Sequence, residues 1–192
     1  MFSDIVKANR SYRRFFEQEA VTRDTLLTLV DYARLVPSGA NKQALKYYIA
    51  CEQPLNEQIF ATLGWAGYLK EWPGPVAGER PVAYIVILQD KGYKMGTSFD
   101  AGIAAQTILL GATEIGLGGC MIGNIQHAKL QAVLNLADNF EVLLVIALGK
   151  PKEEVVIEES EANGDIKYWR DENQVHHVPK RKLQDVVITG LL

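Results

Sequence analysis

The chain has 192 residues, 48% hydrophobic and 22% charged, with a formal net charge of −3. That balance suits one soluble globular domain and offers no general attraction to nucleic acid or an acidic surface. Two cysteines, Cys51 and Cys120, lie far apart in apolar surroundings, and the N-terminus MFSDIVKANRS lacks an apolar signal core, so a reduced, cytoplasmic setting is expected and a disulfide framework is not.

Ser3 is placed to cap a short helix through Ile5, Val6 and Ala8. It runs into Arg10-Ser-Tyr-Arg-Arg14, a knot of positive charge. Thr22 opens a second helix, in which Leu26, Leu29, Val30 and Ala33 form an amphipathic stripe at i, i+3, i+4 and i+7. Pro37-Ser-Gly-Ala-Asn41 stops it. A strand-like run covers Tyr47 to Cys51. Pro54 to Leu69 reads as helix, with Leu55, Ile59 and Leu63 on one face. Glu71 to Glu79, which holds two prolines and two glycines, reads as loop. Val82 to Leu88 is a continuous apolar run rich in β-branched residues, the pattern of a buried strand.

The stretch Phe99 to Asn124, FDAGIAAQTILLGATEIGLGGCMIGN, is apolar nearly all round. The charge-free run from Ala101 to Thr113 falls short of the ~18 residues that span a bilayer, so it reads as a helix buried on every side. Its small residues allow close approach by neighbours. Gly116 to Gly123 reads as a loop whose backbone comes close to something. Gln126 to Leu134 is a short helix, and Glu141 to Leu148 a second buried strand, closed by Gly149-Lys-Pro151. In the tail, Val155 to Ile157 and Ile166 to Trp169 flank Asn163-Gly164 and suggest a hairpin. Val175 to Val178 adds a short strand, Lys180-Arg-Lys182 is a second basic knot, and Val186 to Ile188 closes as a strand. The mixture favours α+β over a doubly wound sheet.

Several chemistries are excluded. Gly116-x-Gly118-x-x-Met121 imitates a dinucleotide fingerprint, but it follows a helix and lacks the third glycine. The three histidines have no metal-ligand spacing, and no metal site is expected. There is no P-loop and no nucleophile elbow. The basic knots read either as solvated surface charge or as phosphate contacts. Ser38, Asn41 and Gln43 read either as turn chemistry or as contacts to a polar ring.

Taken together and in order, Arg10-Ser-x-Arg13-x-Phe15, Pro37-Ser-Gly-Ala-Asn41-Lys-Gln43, Asp100 to Asn124, Gly149-Lys-Pro151 and Lys180-Arg181 resemble the FMN-dependent nitroreductase family over nearly the whole chain. The resemblance implies an α+β, nitroreductase-like fold: a central, mostly antiparallel sheet flanked by helices, one FMN-binding domain over 1–192, and an intertwined homodimer with FMN at the subunit interface. By the same resemblance Arg10, Ser11 and Arg13 contact phosphate and ribityl, and Arg181, with Lys180 as a weaker candidate, brings a second phosphate contact from the tail. Pro37, Ser38, Asn41 and Gln43 surround the ring, reaching it across the dimer. Met121, Ile122, Gly123 and Asn124 lie along the isoalloxazine, with the Gly123 N–H donating to flavin N5. Lys42 is a candidate positive charge near N1/C2=O. The chain departs from the pattern at Ala44, where many relatives have proline, and at Gly123, where some carry glutamate.

The implied activity is oxidation of NAD(P)H and reduction of electron-poor acceptors, nitroaromatics or quinones, by a ping-pong mechanism. The flavin carries the hydride chemistry, so no catalytic side chain is expected. Two alternatives stay open. One is a flavin enzyme of this fold with another reaction, dehalogenation or oxidation. The other is a low-turnover FMN-binding sensor or partner module that uses the aromatic cluster Trp65, Tyr68 and Trp72. Neither a nucleic acid nor a membrane is an expected partner.

Overall fold

The computed structural model describes residues 1–93 and 99–188. The chain divides into two compact units: residues 1–65 with 73–152, and residues 66–72 with the segment from 153 onward.

The first unit is built on a four-stranded antiparallel sheet. Its strands are β1 (Leu45–Ala50), β2 (Ala83–Asp90), β3 (Gly118–Ile122) and β4 (Phe140–Gly149), in the order β1-β2-β4-β3. β2 and β4 occupy the middle, which is why they read as unbroken apolar runs: both faces are covered. Ala83, Ile85 and Ile87 of β2 point into one core with Leu26, Leu29 and Ala33 of α2 (Arg23–Arg34) and Ala104, Ile108 and Ala112 of α4 (Asp100–Glu114). Tyr84, Val86 and Leu88 point the other way, into a core with Ile59 of α3 (Gln53–Phe60) and Leu130 of α5 (His127–Val133). Thr22 caps α2 by accepting a hydrogen bond from the Thr25 N–H. No described helix is long and apolar enough to cross a membrane.

Four expectations are corrected in this unit. Ser3 lies inside α1 (Phe2–Ala8), which starts after Met1. The helix expected over 54–69 ends at Phe60. The chain then turns through Gly64 and through Ala66, whose φ is +39°, and Leu63 is buried by a β-bridge to Ile125 instead of by helix packing. The glycine run after α4 is not a loop: Gly118–Ile122 is an edge strand paired with β4. Finally, α4 is not buried all round. Ala104, Ala105, Ile108, Gly111 and Ala112 are buried, but Phe99 and Ile103 are 73% and 41% exposed and Gly102 faces open space. At Gly111 the close approach is to the chain's own α2. A Cβ on Gly111 would stand 2.8 Å from the Tyr32 ring and 3.2 Å from Leu29.

The second unit holds a three-stranded sheet of β5 (Val155–Ser160), β6 (Trp169–Arg170) and β7 (His176–Arg181), in the order β5-β7-β6, followed by α6 (Leu183–Val186). β5 runs parallel to β7, so Asn163-Gly164 does not close a hairpin between β5 and β6. The hairpin lies between β6 and β7. Asp171 forms that turn: its carboxylate accepts from the Val175 N–H at 2.8 Å, and Gln174 adopts φ +65°. The strand expected at 186–188 is absent, because its first residue ends α6. Arg170 and Glu153 form a buried ion pair at 2.8 Å, with the guanidinium 4.2 Å above the Trp72 ring.

Candidate functional site

After α1 the chain becomes extended at Asn9 and runs along the edge of β3. Ser11 bridges Gly119, and the Tyr12 N–H donates to the Gly119 carbonyl at 3.0 Å. Two glycines make this possible. A Cβ on Gly118 would lie 2.5 Å from the Tyr12 ring, and one on Gly119 would lie 2.4 Å from the Ala147 carbonyl oxygen. Phe15, fully buried and bridged to Pro151, anchors the far end of the segment.

The three arginines here differ in their electrostatics. Arg14 is spent on the fold: it grips Glu79 with two hydrogen bonds of 2.6 and 2.7 Å, while Lys152 approaches the same carboxylate at 2.9 Å. The hydrogen bonds from Arg14 lead in holding Glu79 down at about 2. Arg13 is buried and donates to the Ser11 carbonyl at 3.2 Å. Arg10 donates one Nη to the Val6 carbonyl at 2.8 Å, and its buried Nε has no hydrogen-bond partner among the described residues.

The turn at 37–43 is a short 3-10 turn in which Ala40, Asn41 and Gln43 have φ of +52°, +52° and +49°. Three non-glycine residues in the left-handed region within four positions are unusual, and such strain clusters at functional segments. The turn partners itself: Ser38 Oγ accepts from the Gln43 N–H, and Gln43 Nε2 donates to Asn41 Oδ1, both at 3.2 Å. The buried Asp100 carboxylate accepts from the Gly39 N–H at 3.0 Å. An acid suits this first turn of α4. A cavity of about 190 Å³ lies beside Pro37, Ser38, Gln43, Tyr47 and Asp100. That is below the ~300 Å³ at which ligand pockets usually start, so the turn makes only part of a site.

At the end of β3, Gly123 is exposed and a Cβ there would meet nothing within 4 Å. Ile122 sends its side chain into the core and Met121 is half-buried, so at these positions the backbone is what can meet a flat ring. The Asn124 carbonyl accepts from the Gly64 N–H at 2.8 Å, and its side chain fills the space above Gly64. Lys180 and Arg181 belong to the second unit. There they pair in register with Glu159 and Ser160, and Arg181 donates to the Ala162 carbonyl at 2.7 Å. Trp65 packs on Phe60 in the first unit, whereas Tyr68 packs on Tyr168 and Trp72 under Arg170 in the second.

Two positioning residues escaped the sequence reading. Asn9 donates to the Leu109 carbonyl and to Thr113 Oγ1 at 3.1 and 3.0 Å, and accepts from Gln106 Nε2 at 3.0 Å. It therefore ties the Arg10 segment to the C-terminal half of α4, while Asp100 ties the 37–43 turn to its N-terminus. From Asp100 to Leu109 the helix rises roughly 14 Å. The available signal was the lone acid opening an apolar helix and an Asn just beyond a helix end.

The residues fit FMN on three counts: a buried guanidinium Nε without a partner, a backbone at Gly123 open to close approach, and no acid paired with Arg10 among the described residues. The sequence pattern of the Nitroreductase family matches residues 6–150, and the chain belongs to that family. MhqN of Bacillus subtilis (strain 168), which carries the name of an NAD(P)H nitroreductase, is 23% identical over 80% of this chain and 90% of its own. A nitroreductase family protein from Clostridium novyi NT superposes with a TM-score of 0.65 at 27% identity, covering 79% of this chain and 87% of its own. An FMN-dependent nitroreductase from Clostridium difficile R20291 superposes at 0.61 with 23% identity, covering 78% and 87%.

Proposed function

We propose that the protein is an FMN-dependent oxidoreductase that takes electrons from NAD(P)H and delivers them to electron-poor acceptors, nitroaromatics or quinones, in alternating half-reactions. The observation that carries this reading is the Arg10–Arg13 segment laid along β3, the strand that ends in the open backbone of Gly123. Bound FMN supplies the hydride chemistry. The chain holds and orients. Arg10, Ser11 and Arg13 take the phosphate end, where a guanidinium fork matches phosphate oxygens. The Gly123 N–H meets N5 at the ring edge, about 2.7–3.2 Å away. The turn from Pro37 to Gln43 covers the ring from a second subunit, and Arg181, with Lys180 beside it, supplies a further cation.

The proposal includes a homodimer and a single FMN-binding domain over the chain, in the cytoplasm. Phe2 and Val6 on α1, Phe99 just before α4 and Ile103 on α4 are exposed apolar side chains at two helices in contact, a surface suited to a subunit partner.

The test is direct. The purified protein, supplied with FMN, should be yellow, sediment as a dimer, and consume NADH or NADPH steadily with a nitroaromatic or quinone. A protein that stays colourless and leaves FMN unbound removes the reading.

A further inference from the structure

Asn9 sits at the end of α1, and only 9% of it is exposed. Its amide closes a small polar cluster on α4. Nδ2 donates to both the Leu109 carbonyl and Thr113 Oγ1, and Oδ1 accepts from Gln106 Nε2. Thr113 Oγ1 in turn donates to the Leu109 carbonyl at 2.8 Å, so the partners are tied to one another as well. Gln106, Leu109 and Thr113 fall at i, i+3 and i+7, on one face of the helix. A satisfied polar network of this kind rigidifies its surroundings and specifies one arrangement. Apolar groups of the same shape could serve stability about as well, so what the cluster adds is geometry.

That geometry bears on Arg10. The Asn9 N–H donates to the Ile5 carbonyl at 2.8 Å, and the backbone then leaves α1 in an extended conformation, with ψ 101°. Residue 9 is therefore held by main chain and side chain together, and the Arg10 Cα follows about 3.8 Å further on. One Nη of Arg10 donates to the Val6 carbonyl, so the guanidinium is placed relative to α1, and Asn9 places the end of α1 relative to α4. Ser11 and Tyr12 are held differently, by Gly119 on β3. Of the candidate phosphate contacts, Arg10 is the one set by the α4 cluster.

We propose that Asn9 is a positioning residue that makes the site selective for a phosphorylated flavin. Through it, Gln106 and Thr113 of α4 hold the Arg10 guanidinium where the phosphate of FMN arrives. This rests on the flavin reading above and adds to it the residues that set phosphate selectivity. Gln106 acts on Arg10 only through Asn9.

The experiment compares FMN with riboflavin, which has the same ring and ribityl chain but no phosphate. Both are titrated by fluorescence into the full chain stripped of flavin. The parent should prefer FMN by about tenfold or more. Asn9→Ala should lower that preference about 3–10-fold, chiefly by weakening FMN. A general loss of folded protein weakens both ligands alike and cancels from the ratio. Gln106 is exposed, so Gln106→Ala keeps the fold; it should lower the preference about 2–3-fold, and the double variant should be no worse than Asn9→Ala alone. A preference left unchanged by either single variant, or effects that multiply in the double variant, would overturn the proposal while leaving the flavin reading in place. A parent that binds FMN and riboflavin equally, or neither, would remove both.

Discussion

Gly119→Ala tests the link between core packing and the candidate flavin site. A Cβ at this position stands 2.4 Å from the Ala147 carbonyl oxygen, 2.7 Å from Leu109 Cδ2 and 3.0 Å from Leu148 Cδ2. The leucine methyls can rotate away. The carbonyl cannot, because β4 is paired on both sides, with β2 and with β3. Restoring an ordinary contact of 3.4 Å requires about 1 Å of movement, and the edge strand is the part free to move. Overpacking costs ~1–3 kcal/mol, and a backbone obstacle places this case at about 2–3 kcal/mol. For a chain of this length that is a fall in melting temperature of roughly 4–12 °C. The same displacement carries the Gly119 carbonyl away from the Tyr12 N–H and shifts the strand leading to Gly123, so flavin affinity falls as well. Circular dichroism melting and fluorescence titration with FMN read the two effects. Gly123→Ala is the control: with nothing within 4 Å, it should change stability by no more than about 0.5 kcal/mol. If Gly119→Ala melts within about 2 °C of the parent and keeps its FMN affinity, or if Gly123→Ala costs as much, the packing argument is wrong.

Three further outcomes are expected. Glu79 titrates at about 2 in the fold against 4.5 ordinarily, so its contribution, about 1–3 kcal/mol after allowance for solvent screening, is present above pH ~4.5 and is lost as pH falls toward 2. Glu79→Gln should lower the melting temperature at pH 7 and flatten its decline through that window, and an unchanged decline would count against the network. Burial alone would lower the His177 pKa, but the Glu158 carboxylate at 2.5 Å and Asp171 at 3.5 Å outweigh it and raise the value above 6.5. The resulting stabilisation is present below about pH 6.5 and fades as pH rises through the folded value; an NMR midpoint at or below 6.5, or one unmoved by Glu158→Gln, contradicts this. Arg10→Ala should weaken FMN about tenfold or more with little change in stability, whereas Arg14→Ala should destabilise the fold; paired titrations and melts that gave the reverse would reassign the phosphate contact.

What could be read from the sequence was what one local pattern decides. β2 and β4 stood out because strands covered on both faces are apolar at every position, and α2 because Thr22 caps a clean stripe. β3 was hidden because glycine is depleted in strands, yet Gly118 and Gly119 are there for contacts made elsewhere in the chain, with Tyr12, Pro151 and Ala147. The helix expected over 54–69 kept its periodicity past Phe60 only because Leu63 is buried by a strand bridge, which mimics a helical stripe. The tail hairpin was misplaced because Asn-Gly is a strong local turn signal, while the parallel pairing of β5 with β7 is non-local. In the candidate site, the arginines of 10–14 and the polar residues of the 37–43 turn were visible by residue type. Asn9 and Asp100 were not, since their work is done across about 100 and 61 positions of sequence respectively.

Those two contacts change the role of α4. Gly111 fits it against α2, and its two ends hold the two polar segments that the flavin reading needs. The helix therefore ties the Arg10 segment and the 37–43 turn to anchor points roughly 14 Å apart along its axis. Its remaining face, Phe99 and Ile103 with α1 alongside, is apolar and exposed. In the proposed dimer, a second copy packs on that face and brings its own Arg10 segment or 37–43 turn to the site.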